Sequence, residues 1–338
     1  MKRLLLIILA LAFSAQAQAV TLKIATVTPE GSGWMKEMRA SAKEIEQRTE
    51  GRVKIKYYGG GVMGSEQKVL SRIRIGALQG GAFTPSALTS QYPDLNLYGL
   101  PMVFDSQEEA AYVRERMDAT LQAGLEDAGW VNFGFAAGGF AILMSNKPVR
   151  SLDDLKGKKV WIPEGDTVSR YSMEALSLSP VTLPLTDVLT GLQTGLIDIV
   201  AMSPIGALVL QWHTKVKYIT ELPLVYTFGF MAIDKRAFNK LDDADKAIVR
   251  DVMEQTYAKL NEVNLVDNRG AREALINAGL QSVAVDMSEY DKVRDVLMET
   301  TAELGEEDLY TPDLYTQMLA LLEGVRSRQA AAGEQSGC

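Results

Sequence analysis

The chain has 338 residues, with 35 Lys and Arg against 43 Asp and Glu, for a formal net charge of −8. That balance argues against nucleic acid or an anionic membrane surface as partner, because both reward clustered cations. A single histidine, His213, and a single cysteine, Cys338, exclude histidine-based hydrolytic triads, histidine metal sites and intrachain disulfides, so stability has to come from an apolar core.

Lys2 and Arg3 precede an apolar run from Leu4 to Phe13, and Ala17-Gln18-Ala19 follows as a small-x-small cleavage pattern. This reads as a secretory signal peptide over residues 1–19, with the mature chain starting at Val20. Leu22, Ile24 and Thr26 alternate as a strand, which Thr28 to Gly33 breaks. Trp34, Met38, Ser41 and Ile45 then recur at helical spacing. Val53, Ile55 and Tyr57 form the next strand, closed by Gly59-Gly60-Gly61, a glycine turn that lacks the spacing and the lysine of a phosphate cradle. Strand, helix, strand in this order predicts a parallel sheet with helical crossovers.

An internal similarity comes next. "IGALQGGAFTPSAL" (Ile75 to Leu88) overlays "TGLIDIVAMSPIGAL" (Thr194 to Leu208), with Gly76 on Gly195, Ala82 on Ala201, Thr84 on Ser203 and Pro85 on Pro204. Each copy reads as a helix end, a short buried strand, then a hydroxyl residue at an N-cap before Pro. Two such half-sites place hydroxyls and free amides at strand C-terminal ends, where open α/β sheets bind ligands. Beyond Phe238 the pattern is helical over Asp242 to Asn264, Asn268 to Ala278, Ser288 to Leu304 and Pro312 to Arg328, with a short strand in "LQSVAVDM". The acidic clusters Asp153-Asp154, Asp242-Asp243 and Glu306-Glu307-Asp308 sit at helix starts or in charged surface runs, where the helix dipole favours them without any acid/base role.

"KPVRSLDDLKGKKVWIP" and "SPVTLPLTDVLTGLQTGLIDIVAMSP" resemble the substrate-binding proteins of tripartite ATP-independent periplasmic (TRAP) transporters, the DctP family. The similarity extends from "LKIATVTPEGSGWMKEM" to "LDDADKAIVRDVMEQT". The resemblance implies an α/β, two-lobed type II periplasmic-binding-protein fold, with a ligand cleft between the lobes and a long hinge-spanning helix. On this reading lobe 1 is 20–138 plus 231–268, lobe 2 is 139–230 plus 269–328, and 329–338 is a disordered tail. It also implies a periplasmic, non-enzymatic protein without cofactor or metal, which closes on a small molecule and delivers it to the membrane subunits of a TRAP permease. A tetratricopeptide-repeat periplasmic protein is a further partner known for some members.

One departure bears on the ligand. The family's carboxylate-clamping Arg falls on Trp161, a second basic position falls on Ala141, and the Asn before the second-lobe Pro becomes Ser203. An indole offers one donor and an apolar face where a guanidinium offers two charge-assisted bonds. With Trp34, Phe83, Phe140, Leu185, Tyr226 and Phe228 near aligned binding segments, the expectation is a hydrophobic or aromatic ligand packed on Trp161 and hydrogen-bonded by Thr84 and Ser203. The alternative is a conventional organic-acid binder with a relocated cation, for which Arg170 is the candidate. From another class, the rival is a secreted carboxylate-dependent hydrolase.

Overall fold

The computed structural model describes residues 19–285 and 287–336. The expected signal peptide, apart from Ala19, and Cys338 lie outside the described residues. The chain starts β1 (Val20–Ala25), α1 (Gly33–Arg48), β2 (Val53–Tyr58), α2 (Glu66–Arg74), β3 (Gly80–Phe83), α3 (Gln107–Asp127), β4 (Trp130–Asn132) and β5 (Ala136–Phe140). It continues with β6 (Ile142–Ser145), β7 (Trp161–Pro163), α4 (Thr167–Ala175), β8 (Val181–Leu183), α5 (Val188–Thr194), β9 (Ile199–Met202), α6 (Pro204–Val209) and β10 (Tyr218–Thr220). The last elements are β11 (Tyr226–Asp234), α7 (Lys235–Phe238), α8 (Asp243–Asn277), β12 (Gln281–Val283), α9 (Met287–Leu304) and α10 (Pro312–Ser336).

Two sheets define two lobes. The first runs β2-β1-β3-β11-β4, with β5 also on β11; β1 is parallel to β2 and β3, while β11 is antiparallel to β3, β4 and β5. The second runs β12-β10-β6-β9, and the parallel pair β7-β8 joins it through a bridge between Val160 and Ile199. Leu22 and Ile24 are fully buried in β1, and Met38, Ser41 and Ile45 form the buried face of α1 together with Met35, whereas Trp34, expected on that face, is only partly buried. Ser32 caps α1 by accepting from the Met35 amide, so the break at Thr28 to Gly33 ends in a helix start.

The chain passes between the lobes at β5, at β11 and along α8. β5 pairs with β11 on one edge only, and its other edge would leave backbone groups without partners. Three asparagines of α8 supply them: the Ala137 amide donates to Asn261 Oδ1, and Asn264 and Asn268 donate to the carbonyls of Ala137 and Gly138, each at 2.8 Å. Spacings of three and four put all three on one helix face. Asn268 also accepts from the Ile205 amide at 3.4 Å, linking the crossing strand to the start of α6.

Two expectations change here. The helical runs on either side of residues 265–267 are one helix of 35 residues, because Gly270 costs helix propensity without breaking it when both flanks are packed. The segment after α9 does not stay with the second lobe, and α10 runs on to Ser336 through most of the expected tail. Met318 and Leu322 are buried in the first lobe's core, and Arg326 donates to Glu109 Oε1 at 2.8 Å and to the Val103 carbonyl at 3.0 Å.

Beneath the crossing strands, Arg114 is a buried cation. It donates to the Phe135 carbonyl at 2.6 Å, to the Tyr226 hydroxyl at 3.0 Å and to Asp118 Oδ2 at 2.9 Å. Truncating one member of such a network strands the others, so Arg114→Met is expected to destabilise the protein by about 3 kcal/mol. Urea unfolding of variant and parent measures it.

Candidate functional site

A cavity of about 510 Å³ lies between the lobes. Its walls come from the ends of β1, β3, β7 and β9, from β11, and from α8 through Asn264. The two half-sites read from the internal similarity meet there. Thr84 and Ser203 have the same extended conformation, each precedes a Pro at the first helical position, and Gly76 and Gly195 both end their helices with φ near +70° (+76° and +69°). Neither hydroxyl caps the turn that follows it.

What the hydroxyls do instead differs between lobes. In the first lobe the Thr84 amide donates to Glu66 Oε1 at 2.6 Å and its hydroxyl to Oε2 at 2.7 Å, while Ser86 Oγ lies 3.1 Å from Thr84 Oγ1. Ser203 is 4% exposed, lines the cavity and has no hydrogen-bond partner for its hydroxyl among the described residues. One half-site is therefore saturated internally, and the other holds an unused donor and acceptor.

Glu66 went unremarked in the sequence, where it opens an ordinary capped helix; only the fold brings its carboxyl to Thr84. Loss of bulk water pushes that carboxyl up to about 7, against the two Thr84 hydrogen bonds that lower it, and the Glu164 charge on the other lobe adds to the rise. Asp166 is also raised by burial, despite its bonds from Ser169.

Trp161 is placed in the wall, yet not as a ligand clamp. It is 4% exposed, its indole N–H donates to the Leu183 carbonyl at 3.0 Å, and its ring meets Trp212 edge-on with centroids 5.1 Å apart. Its single donor is thus already committed to the backbone, and most of its face packs in the second lobe's core. Trp34, Phe83, Leu185, Tyr226 and Phe228 also line the cavity, whereas Phe140 is not among its lining residues and packs edge-on against Tyr226 at 5.7 Å. Arg170 lies outside as well: it pairs with Glu174 at 3.1 Å on α4 and covers Tyr171, with 43% of its side chain exposed. The one Lys or Arg among the cavity-lining residues is Arg150, just before the Ser151 capping box, and its guanidinium makes no hydrogen bond or ion pair among the described residues. Sequence offered no signal for it, since a basic residue before a surface turn is ordinary.

A model of the DctP family, described as bacterial extracellular solute-binding protein family 7, matches residues 24–308. The chain is 25% identical to the uncharacterized protein YiiZ of Salmonella typhimurium over 46% of its own length, and it spans about half (48%) of that relative. Solved structures share the fold more completely. The TRAP periplasmic solute-binding protein of Xanthobacter autotrophicus, with bound β-D-galacturonate, has a TM-score of 0.81 at 20% identity, covering 90% of this chain and 99% of that one. That of Ralstonia eutropha, with bound (S)-2-acetolactate, has a TM-score of 0.82 at 21% identity, covering 90% and 99%. That of Pseudomonas putida, with bound D-glucuronate, has a TM-score of 0.79 at 24% identity, covering 89% and 97%.

Two outcomes are expected from this geometry. Trp161→Ala should cost about 3–5 kcal/mol of folding stability, the scale of emptying a large core site, measured by chemical unfolding. For Glu66 the sign follows from its raised value: a carboxyl that binds its proton more tightly when folded has its stabilising protonated form below its ordinary 4.5 and loses that contribution as pH rises to about 7. Glu66→Gln should therefore gain on the parent steadily between pH 5 and pH 7.5. A constant difference in melting temperature across that window would remove Glu66 as the titrating group.

Proposed function

The chain belongs to the DctP family of bacterial extracellular solute-binding proteins, and from that premise we propose that it captures a small organic acid between its lobes. Members of the family are transport components rather than catalysts, work outside the cytoplasm and serve a TRAP-type membrane permease. The expectation of a hydrophobic or aromatic ligand is corrected: proteins of the same fold were solved with galacturonate, acetolactate and glucuronate, all carboxylates. The residue on which that expectation turned, Trp161, has its donor engaged by Leu183.

The observation that carries the organic-acid reading is that the cavity lining includes the Ser203 hydroxyl, without a partner among the described residues, and one cationic residue, Arg150. We assign Ser203 as the neutral donor and Arg150, an exposed residue at the cavity lining beside the Asp154 charge, as the cation that turns to the anion on binding, in the place that Arg170 had in the sequence reading. Closure is population shift: an acid touching both lobes stabilises the closed form by the difference between its affinities for the two states. Export after cleavage behind Ala19 belongs to the same proposal, since β1 begins at Val20.

A thermal-shift panel of uronates, 2-oxo acids and hydroxy acids, each beside its methyl ester, tests the class, and calorimetry on the best hit tests the residues. The acids should stabilise and the esters should not. Arg150→Gln is expected to weaken binding about tenfold or more and Ser203→Ala about fivefold, the scales of a charged and a neutral hydrogen bond, while Arg170→Gln leaves affinity unchanged. Esters that bind as well as their acids would end the proposal.

A further inference from the structure

Two of the contacts between the lobes beside the cavity involve glycines. Gly165, in the loop after β7, faces Ser86 in the turn after β3 of the other lobe: a Cβ built on Gly165 would sit 2.9 Å from the Ser86 carbonyl oxygen. Gly61, after β2, faces Thr186, after β8, where a Cβ would sit 3.2 Å from Thr186 Cγ2. The first contact is the harder of the two. A threonine methyl can turn aside, but the Ser86 carbonyl is backbone, in a turn whose Ser86 hydroxyl is within bonding distance of Thr84, which Glu66 holds by two hydrogen bonds.

We propose that Gly165 is the residue that permits the lobes to close: without a side chain it lets the second lobe seat on the Ser86 turn, and any Cβ there acts as a wedge that holds the cleft open. The inference rests on the reading that the protein works by closing around its ligand, and it adds which atom sets the limit of closure. Overlap of this kind, with backbone and not with a flexible chain end, cannot be relieved by a rotamer change, so the lobes have to separate.

Gly165 has φ +84°, so a substitution also brings backbone strain, and Gly157 separates the two effects. It lies in the same lobe with φ +68° and has nothing within 4 Å of its Cβ position. Asn tolerates this backbone region better than other residues that carry a Cβ, so Gly165→Asn and Gly157→Asn should both fold, which circular dichroism verifies. The reporter of closure is a disulfide between Gly61→Cys and Thr186→Cys in a Cys338→Ser background, whose rate of formation under mild oxidation counts visits to the closed state and needs no ligand. The parent reporter should cross-link, Gly157→Asn should match it, and Gly165→Asn should slow it about tenfold or more. The proposal fails if Gly165→Asn cross-links at the parent rate, if Gly157→Asn slows it equally, or if the parent reporter does not cross-link. None of these outcomes depends on the chemical class of the ligand, so the organic-acid reading stands or falls separately.

Discussion

The strand that carries the chain from one lobe to the other has β11 on one side and no strand on the other, and a backbone edge left bare inside a protein is costly. Asn261, Asn264 and Asn268 meet that need from α8, each bonding a backbone group of Ala137 or Gly138. Much else follows from this seam. It fixes α8 against the crossing, which lets one helix of 35 residues serve both lobes, and through Asn268 it reaches the Ile205 amide at the second half-site.

On either side of that seam the two half-sites share a backbone and differ in chemistry. Thr84 is held by Glu66 through both its amide and its hydroxyl, so the first lobe presents a rigid turn. Ser203 is buried with its hydroxyl unused, so the second lobe presents a group still waiting for a partner. A hydroxyl that opens onto a cavity without a protein partner is free to bond solvent or a bound molecule. The division suits a binding protein that keeps one wall stiff and completes the other with its ligand.

Where the DctP resemblance implies a guanidinium, this chain has the indole of Trp161. The indole joins Trp212 in the core and gives its N–H to Leu183, so the strand end becomes part of the hydrophobic support of the second lobe. Arg150, on a different loop, is the one Lys or Arg among the residues that line the cavity. Among the other ionisable groups of the lining are Glu66, Glu164, Asp166 and Asp267.

What the sequence by itself determined is what short-range periodicity can encode. Alternation at Leu22 to Thr26 and Val53 to Tyr57, helical spacing from Trp34 to Ile45, and the repeated glycine, strand, hydroxyl and Pro order around Thr84 and Ser203 each lie within a few turns of chain, and each appears in the fold. The motifs of the DctP resemblance are likewise contiguous, and they carried the family and the fold class. The tertiary structure decided everything that joins distant residues: Glu66 to Thr84, Trp161 to Leu183, the α8 asparagines to β5, and α10 to the first lobe. An Arg before a turn reads the same whether its guanidinium faces solvent or a cavity, so Arg150 and Arg170 could not be told apart from their neighbours in sequence. Periodicity assigns a residue to one face of its own element, but which surface that face meets depends on how the lobes pack, and that is a property of the whole chain.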